Sequence, residues 1–342
     1  MARVVVTSPD ELLSALPHVL GFKPEESVVT VPLGSELPVA RIDIPKTADE
    51  RRQVVASLGA AYARNVGQPG TMVAIVCLTE DRHAAETTTR CLASTLQRAG
   101  IDTTIRLWAT ATQWTNLNSG DTGARSAESE TRMAAEAAYL GKPPPAASRD
   151  SLSSALVGDR TPVAAVLSQA RTLAQQEPTG AQHDWAVGRL AQFHTDGRSL
   201  SDLEAARLLV AVEAKPTRDA LWVDMSRENS ASHADLWSDL TRRAPEEVRT
   251  PAASLLAFSN WLQGDGAKAW VALDQIPADT EPYTLAGLTA GVLEAGMHPG
   301  IWEEAKAMFT DSEAFVPDRP GQRHDRALPT SRPASDRRAP GI

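Results

Sequence analysis

The chain has 342 residues, of which 42% are hydrophobic and 23% charged, proportions that suit a globular protein of about two domains. Asp and Glu outnumber Lys and Arg by 43 to 34, so the formal net charge is -9. This balance disfavours a nucleic-acid binder, which needs a basic surface against the phosphates. Residues 317–342 carry six Arg and three Asp, so the rest of the chain is more acidic still. No run of Lys and Arg within that remainder indicates a basic patch.

The cysteine content and the absence of long apolar segments point to the cytoplasm. Cys77 lies in an apolar run and Cys91 in a helical pattern, as expected for two reduced thiols in a cytosolic protein. Asp10 and Glu11 stand where a signal peptide needs apolar residues, and no segment approaches the ~18 continuous apolar residues of a membrane span. We therefore expect a cytoplasmic protein that does not enter the membrane.

Residues 1–110 are predicted to form an α/β domain with a mixed sheet. The predicted elements, in chain order, are a helix starting at Ser8 and ended or kinked by Pro17, strands over 27–31 and 39–44, a helix over 47–66, a strand over 71–78, a helix over 82–99 and a strand over 101–109. The two short strands form a hairpin. The continuous apolar run 71–78 indicates a strand covered on both faces. It begins a right-handed β-α-β unit with parallel strands.

The remainder of the chain is predicted to be helical, apart from a connecting segment and a tail. Residues 111–147 are interpreted as a polar surface loop up to 125, a short helix and a Pro-rich linker. Residues 148–311 show only helical periodicity and are predicted to form an all-α domain. The predicted helices run over 161–176, 182–194, 200–214, 216–225, 231–243, 250–263, 266–276, 282–295 and 300–309. Residues 312–342 lack an apolar period and are expected to be disordered.

Part of the helical half resembles a tetratricopeptide-type hairpin. Trp261 precedes a Gly264-Asp265-Gly266 turn, and Trp270 follows it among closely spaced alanines. An ordinary α-hairpin explains the same pattern. Trp261 and Trp270 are the candidate partner-binding residues, since large amphipathic rings anchor interfaces; the alternative is that they pack in the core.

Several motifs across both halves resemble an actinobacterial family, domain of unknown function 4192. They are Leu12-Leu13-(x3)-Pro17-(x2)-Leu20-Gly21-Phe22-x-Pro24-x2-Ser27-Val28-Val29, Arg41-Ile42-Asp43-Ile44-Pro45, Ser148-Arg149-Asp150-x-Leu152, Arg218-Asp219-Ala220-Leu221-Trp222, Leu236-Trp237 and Pro251-x3-Leu255-Leu256-Ala257-x3-Trp261-Leu262-x-Gly264-Asp265-Gly266-Ala267. The likeness covers roughly residues 8–305 and implies no activity. The family often has a cysteine cluster in the loop after Trp108, whereas residues 114–121 here contain no cysteine.

The first candidate site follows the strand that ends at Leu78. Glu80, Asp81 and His83 come directly after it, and ligands collect at the carboxyl ends of parallel strands. A carboxylate beside an imidazole can perform acid–base chemistry. The alternative is that Asp81 caps the next helix and that Glu80 lies favourably at its positive end.

The second candidate site is a ligand-binding turn next to the predicted hairpin. It comprises His18, Glu25, Arg41 and Asp43. Arg41 and Asp43 are two residues apart in a strand and so point the same way, which could orient a ligand. A solvated ion pair that contributes little to stability is the alternative.

No motif for a cofactor or a metal is present. The chain lacks a Walker loop, a Rossmann fingerprint and a Gly-x-Ser-x-Gly elbow. Its seven histidines never stand at ligand spacing from another His or Cys. The sequence therefore predicts neither a cofactor nor a metal.

The sequence is compatible with three functions. The first is a non-catalytic adaptor that binds an unidentified protein partner through its helical half. The alternative is a hydrolase or small-molecule-binding enzyme that uses the Leu78–His83 strand end. Nucleic-acid binding through the Arg-rich tail ranks last. The oligomeric state is left open.

Overall fold

The computed structural model describes residues 6–34, 37–65 and 71–311. The N-terminal part contains a six-stranded sheet with the order β2-β1-β3-β4-β5-β6. The strands are β1 (Ser27–Leu33), β2 (Ala40–Asp43), β3 (Met72–Leu78), β4 (Arg106–Ala109), β5 (Gln113–Asn116) and β6 (Thr122–Ala124), and the helices around them are α1 (Pro9–Leu20), α2 (Ala48–Asn65), α3 (Arg82–Arg98) and α4 (Ala127–Tyr139). The predicted disordered tail lies outside the described residues.

The sheet is mixed, as predicted. β1 pairs antiparallel with β2, which forms the predicted hairpin, and antiparallel with β3 on its other side. β3 and β4 run parallel and place Cys77 opposite Trp108. Because α3 connects these two strands, they form the single parallel β-α-β unit that the sequence indicated.

The central strand β3 is covered on both faces. Val73, Ile75 and Cys77 pack against side chains of α2 and α3, whereas Ala74 and Val76 face the cluster that α1 contributes. Successive side chains of a strand point to opposite faces, so a strand buried on both sides needs apolar residues at every position. This explains the continuous apolar run of the sequence.

The polar segment predicted as a surface loop over 110–125 instead forms two strands, and that prediction was wrong. β5 pairs antiparallel with β4, and β6 pairs antiparallel with β5. Trp114 packs on the α1 face of the sheet, while Gln113 is exposed. β6 is the edge strand of the sheet and β5 is its neighbour. Strands at the rim of a sheet keep much of their surface in water, so a Thr- and Asn-rich composition is compatible with them.

Helix α1 continues through Pro17 to Leu20 without ending there. Ser8 caps it by accepting a hydrogen bond from the Glu11 N–H, and Gly21 ends it in the left-handed conformation at φ 76°. Proline removes one hydrogen bond from a helix. The buried side chains of Leu13, Leu16 and Leu20 hold the helix against the sheet despite that loss.

The C-terminal part is helical throughout its described length. Its helices are α5 (Arg149–Ala155), α6 (Thr161–Gln176), α7 (Ala181–Asp196), α8 (Asp202–Ala211), α9 (Lys215–Asp224), α10 (Ser230–Arg243), α11 (Glu246–Leu262), α12 (Gly266–Leu273), α13 (Thr284–Glu294) and α14 (Ile301–Asp311). Every residue of α11 from Val248 to Leu262 is buried. A helix with no polar face in contact with water belongs at the centre of a bundle, and α11 occupies that place.

Helices α11 and α12 form the hairpin in which the repeat-like motif was recognised. Gly264 turns the chain at φ 80°, and Asp265 caps α12 by accepting from the Lys268 N–H. A tetratricopeptide-like repeat stays a prediction, since one hairpin does not make an array.

A short segment joins the sheet to the helices. The Ala146 N–H donates to the Gly21 carbonyl, and the Lys23 N–H donates to the Ala146 carbonyl, at 2.8 and 3.0 Å. Leu152 on α5 packs against both the α1 face of the sheet and the helical core. Ala267 on α12 also packs against the α1 face of the sheet. The two parts are thus tied by backbone pairing and by apolar side chains.

Among the described residues, no helix combines the length and the apolar character that crossing a membrane requires.

Candidate functional site

The residues predicted after β3 act at the start of α3. Asp81 caps the helix, with its Oδ1 accepting from the Ala84 N–H at 2.9 Å. Glu80 and His83 are exposed, and neither of the two clefts described below is lined by any of the three. Their placement fits the capping alternative.

The predicted ligand turn is occupied by its own contacts. Arg41 donates from Nε to Ser27 Oγ at 2.8 Å and pairs with Asp43 at 2.6 Å. Glu25 contributes only its backbone carbonyl, 3.4 Å from Arg41 Nη2. His18 lies on α1, where burial and the nearby Lys142 lower its pKa. The guanidinium therefore serves the strand pairing, and Asp43, which is 83% exposed, adds little to stability.

The two candidate tryptophans differ in their exposure. Trp261 is buried and donates its indole N–H to the Met297 carbonyl at 3.1 Å, so a partner has no access to its ring. Trp270 is half-buried on α12. Of the two tryptophans, only Trp270 has exposed surface that a protein partner could contact.

A cluster of polar side chains that the sequence did not reveal lies where the ends of α7 and α9 meet the start of α10. The last turn of α7 contributes His194, α9 ends with Asp224, and the first turn of α10 contributes Ser232 and His233. Each residue is held by its helix, and Asp224 is also fixed from outside. Asn229, which precedes α10, donates from Nδ2 to Asp224 Oδ2 at 3.2 Å.

The protonation of His233 follows from its partners. Trp237, one turn along α10, donates its indole N–H to His233 Nδ1 at 3.3 Å. Since an indole N–H can only donate, Nδ1 carries the lone pair and Nε2 carries the proton. His233 Nε2 then donates to Asp224 Oδ2 at 3.0 Å. The ring is fully buried, and burial lowers its pKa, so His233 is neutral near pH 7.

Asp224 is the negative centre of the cluster. The hydrogen bond from His233 lowers its pKa most and outweighs the opposing effect of burial, and the positive charge of Lys306 lowers the pKa further. Lys306 on α14 also binds the Met225 carbonyl at 3.2 Å, which fixes the end of α9. Asp224 is therefore an ionised and oriented carboxylate at neutral pH.

His194 bridges this carboxylate and the hydroxyl of Ser232. Its Nε2 is buried, has no hydrogen-bond partner and lies 3.5 Å from Asp224 Oδ2. Its Nδ1 lies 2.7 Å from Ser232 Oγ. A proton on Nε2 lies on the side of the ring that faces the carboxylate and leaves the Nδ1 lone pair for the hydroxyl proton of Ser232. Ser232, His194 and Asp224 are thus ordered as nucleophile, base and orienting acid.

Ser232 is partly exposed and borders a cleft. Ser232 and His194 line an open cleft of about 280 Å³, with Ser199, Asp235 and Asp239 in its other walls. Asp239 is paired with Arg243 at 2.6 Å, and Asp235 is exposed. A small molecule that enters this cleft meets the serine hydroxyl next to a mildly acidic wall.

Two histidines and one carboxylate of this cluster are also the kinds of side chain that bind metal ions. Ligand atoms of His194, Asp224 and His233 all lie within 4.8 Å of one another, which is close enough for one cation. A neutral histidine that binds a metal through Nε2 keeps its proton on Nδ1. In His233 that nitrogen faces the N–H of Trp237, so two hydrogens would meet. The donor set therefore fits a chain of shared protons better than a metal.

The spacing of these residues explains why the sequence did not reveal the site. His194, Asp224 and Ser232 come from three helices, so no motif of fixed spacing joins them. One signal was present. His194 and Asp224 lie at the ends of two predicted helices, and Ser232 at the start of a third, and helix ends in a bundle often meet.

The chain is thus a two-part protein, a mixed α/β sheet followed by a helical bundle, with a Ser-His-Asp cluster in the bundle. It belongs to the family described as "Domain of unknown function (DUF4192)", whose model matches residues 9–300. The resemblance inferred from the motifs is thereby confirmed. Neither the curated proteins nor the solved structures contain a match.

Proposed function

We propose that the helical part is a serine-dependent hydrolase that cleaves an ester or related acyl bond of a small molecule. The observation that carries this proposal is the 2.7 Å contact between Ser232 Oγ and His194 Nδ1, with Asp224 at 3.5 Å from the other ring nitrogen. A hydroxyl is a weak nucleophile until an adjacent base takes its proton. Ser232 has such a base and faces a cleft.

The reaction that follows from this geometry has two halves. Ser232 Oγ attacks the acyl carbon while its proton passes to His194 Nδ1, and the imidazolium then gives that proton to the leaving group. Water, activated by the same nitrogen, releases the acid and restores the serine hydroxyl. Asp224 stabilises the imidazolium in both halves. Ser232 lies in the first turn of α10, where the positive end of the helix favours the developing oxyanion.

A fluorophosphonate probe tests the nucleophile without knowledge of the substrate. It reacts with activated serine hydroxyls, so we expect covalent labelling of Ser232, identified by peptide mass spectrometry. Labelling is lost in Ser232→Ala. In His194→Gln it slows by about 100-fold or more, the usual contribution of a general base.

Ser199→Ala is the matched control, because Ser199 lines the same cleft but belongs to no part of the proposed triad. Its labelling rate at Ser232 stays that of the unaltered chain. The proposal fails if Ser232 is not labelled, or if His194→Gln reacts as fast as the control.

The adaptor role predicted from the sequence stays a prediction. Its support would be a broad apolar surface on the helices. Among the described residues, no two of the large exposed apolar side chains lie on the same element; they are Val19, Met72, Tyr139, Val157, Val187, Leu288 and Ile301. The cluster at Ser232 offers more specific chemistry than these scattered side chains.

A further inference from the structure

The second cleft of the molecule brings together three arginines that are far apart in the sequence. It has a volume of about 280 Å³ and lies between α3 and the strands β4 and β5. Arg82 and Arg90 reach it from α3, and Arg106 reaches it from the start of β4. The sequence contained no basic run because the fold, and not the local spacing, collects these charges.

The positive charge of this cleft is only partly neutralised. Glu86 is the one carboxylate in its walls, and it pairs with Arg82 at 2.8 Å. Arg106 donates from Nε to Asn118 Oδ1, a contact that orients the guanidinium without cancelling its charge. Within the described part of the chain, no ion pair involves Arg90. The cleft is therefore net positive in a chain of net charge -9.

Neutral groups complete the lining. Thr115 and Asn116 of β5 stand opposite α3, and Arg82 is braced over the Trp108 ring, 5.2 Å from its centroid. Guanidinium groups bind planar or tetrahedral oxyanions through pairs of N–H donors. The small volume suits a compact anion and not a polymer.

We propose that this cleft is a binding site for a phosphate-bearing small molecule, with Arg90 and Arg106 as the principal donors. The two guanidiniums approach the anion from opposite walls, the helix and the sheet. Arg82 has its charge shared with Glu86 and therefore contributes less. This site lies in the sheet part of the chain and does not depend on the proposed hydrolase.

Calorimetric titration of the full chain with inorganic phosphate, inorganic pyrophosphate and phenyl phosphate tests the proposal. We expect one anion bound per chain, with affinity that falls as NaCl is raised. Removing one charge-assisted contact in Arg90→Ala or Arg106→Ala weakens binding by about tenfold or more. Tighter binding of phenyl phosphate than of the inorganic ions indicates a phosphate ester as the natural ligand, and the reverse order indicates a free inorganic anion.

Arg98→Ala provides the matched control. Arg98 is also on α3 and loses the same charge, but its guanidinium contacts Ser94 and Thr95 instead of the cleft. Its anion affinity changes by less than about twofold if the site is specific. An equal loss in Arg98→Ala, or no binding by the unaltered chain, overturns the proposal. Circular dichroism checks the fold of each variant, and an unchanged fluorophosphonate rate at Ser232 separates this result from the fate of the proposed hydrolase.

Discussion

At the scale of single residues, the state of one buried imidazole decides what the Ser232 cluster can do. Trp237 leaves His233 only one proton, on the nitrogen that faces Asp224. A change of that proton's position would turn the same atoms into metal ligands. The chemistry of the cluster is thus controlled by a residue that does not line the cleft.

The lowered pKa of His233 predicts a specific pH dependence of stability. Its folded pKa lies below the ordinary value of about 6.5 because the ring is buried. As pH falls below about 6.5, the unfolded chain binds a proton that the folded chain does not bind. The free energy of unfolding therefore decreases with acid, by up to about 1.4 kcal/mol per pH unit, until the folded pKa is reached.

Urea unfolding of the full chain between pH 7.5 and 5 measures this dependence. The same measurement is made on the variant His233→Gln. Other titrating groups contribute to the pH dependence of the unaltered chain and of the variant alike, so the difference between the two isolates the imidazole. We expect the variant to be less stable at pH 7.5 but to lose less on acidification. Parallel curves would show that His233 is not a buried neutral base.

At the scale of elements, close packing between helices distinguishes two glycines that look alike in the sequence. Gly59 lies in α2 and Gly188 in α7. A Cβ on Gly59 would come within 2.4 Å of the Thr95 methyl on α3, whereas a Cβ on Gly188 would meet nothing within 4 Å. Gly59 therefore allows α2 and α3 to approach each other.

Alanine at these two positions should have opposite effects. Gly188→Ala stabilises by about 0.5–1 kcal/mol, since glycine is a poor helix former. Gly59→Ala gains the same propensity but adds an overpacking cost of about 1–3 kcal/mol, so its thermal unfolding midpoint falls. The double variant with Thr95→Ala recovers most of that loss. A rise in the midpoint of Gly59→Ala would contradict the close approach.

The helices were predictable to within a few residues, and the strands β5 and β6 were not. The helix predicted over 161–176 has those bounds in the structure, because apolar spacing is a local signal. Trp114 and Thr115 were placed in a loop because their neighbours are polar. β5 pairs with β4 across a short turn and with β6 on its other side, and local polar composition does not report this pairing.

The candidate site could not be predicted for a related reason. His233 looked like an isolated histidine, since its partner Asp224 is nine residues away across a helix boundary and a loop. His194 is still more distant, 30 residues before Asp224 in the sequence. Arg82 and Arg106 likewise come together only through the β-α-β crossover. Both sites depend on tertiary packing, whereas the fold class depended on periodicity.

At the scale of the whole molecule, α5 connects the sheet to the helical bundle. Leu152 contacts both cores, and Arg149 pairs with Asp274 of the helical part at 2.5 Å. Gln275 donates to Ser153 Oγ at 3.1 Å. We infer that the two parts unfold together as long as α5 stays in place.

Leu152→Ala should weaken that coupling. Removing a partly buried leucine costs about 2–3 kcal/mol here, at the low end for core truncations. Since both cores share this side chain, we expect differential scanning calorimetry to resolve two transitions in the variant where the unaltered chain shows one. Val157→Ala, at a side chain that is 58% exposed, is the control and keeps one transition. A single, merely lowered transition in Leu152→Ala would place the coupling elsewhere.

The two cysteines give the folded chain a built-in reporter. Cys91 is exposed and Cys77 is buried in the middle of the sheet, where burial raises the pKa of its thiol to about 12. An alkylating reagent therefore modifies Cys91 at once, and Cys77 only when the strands around it separate. The rate of the slow phase of alkylation therefore measures how often the sheet opens. A fluorophore attached to Cys91 lies one residue from Arg90 of the proposed anion cleft. The native sequence thus provides one thiol whose alkylation rate reports unfolding of the sheet and another that allows a label beside the proposed ligand site.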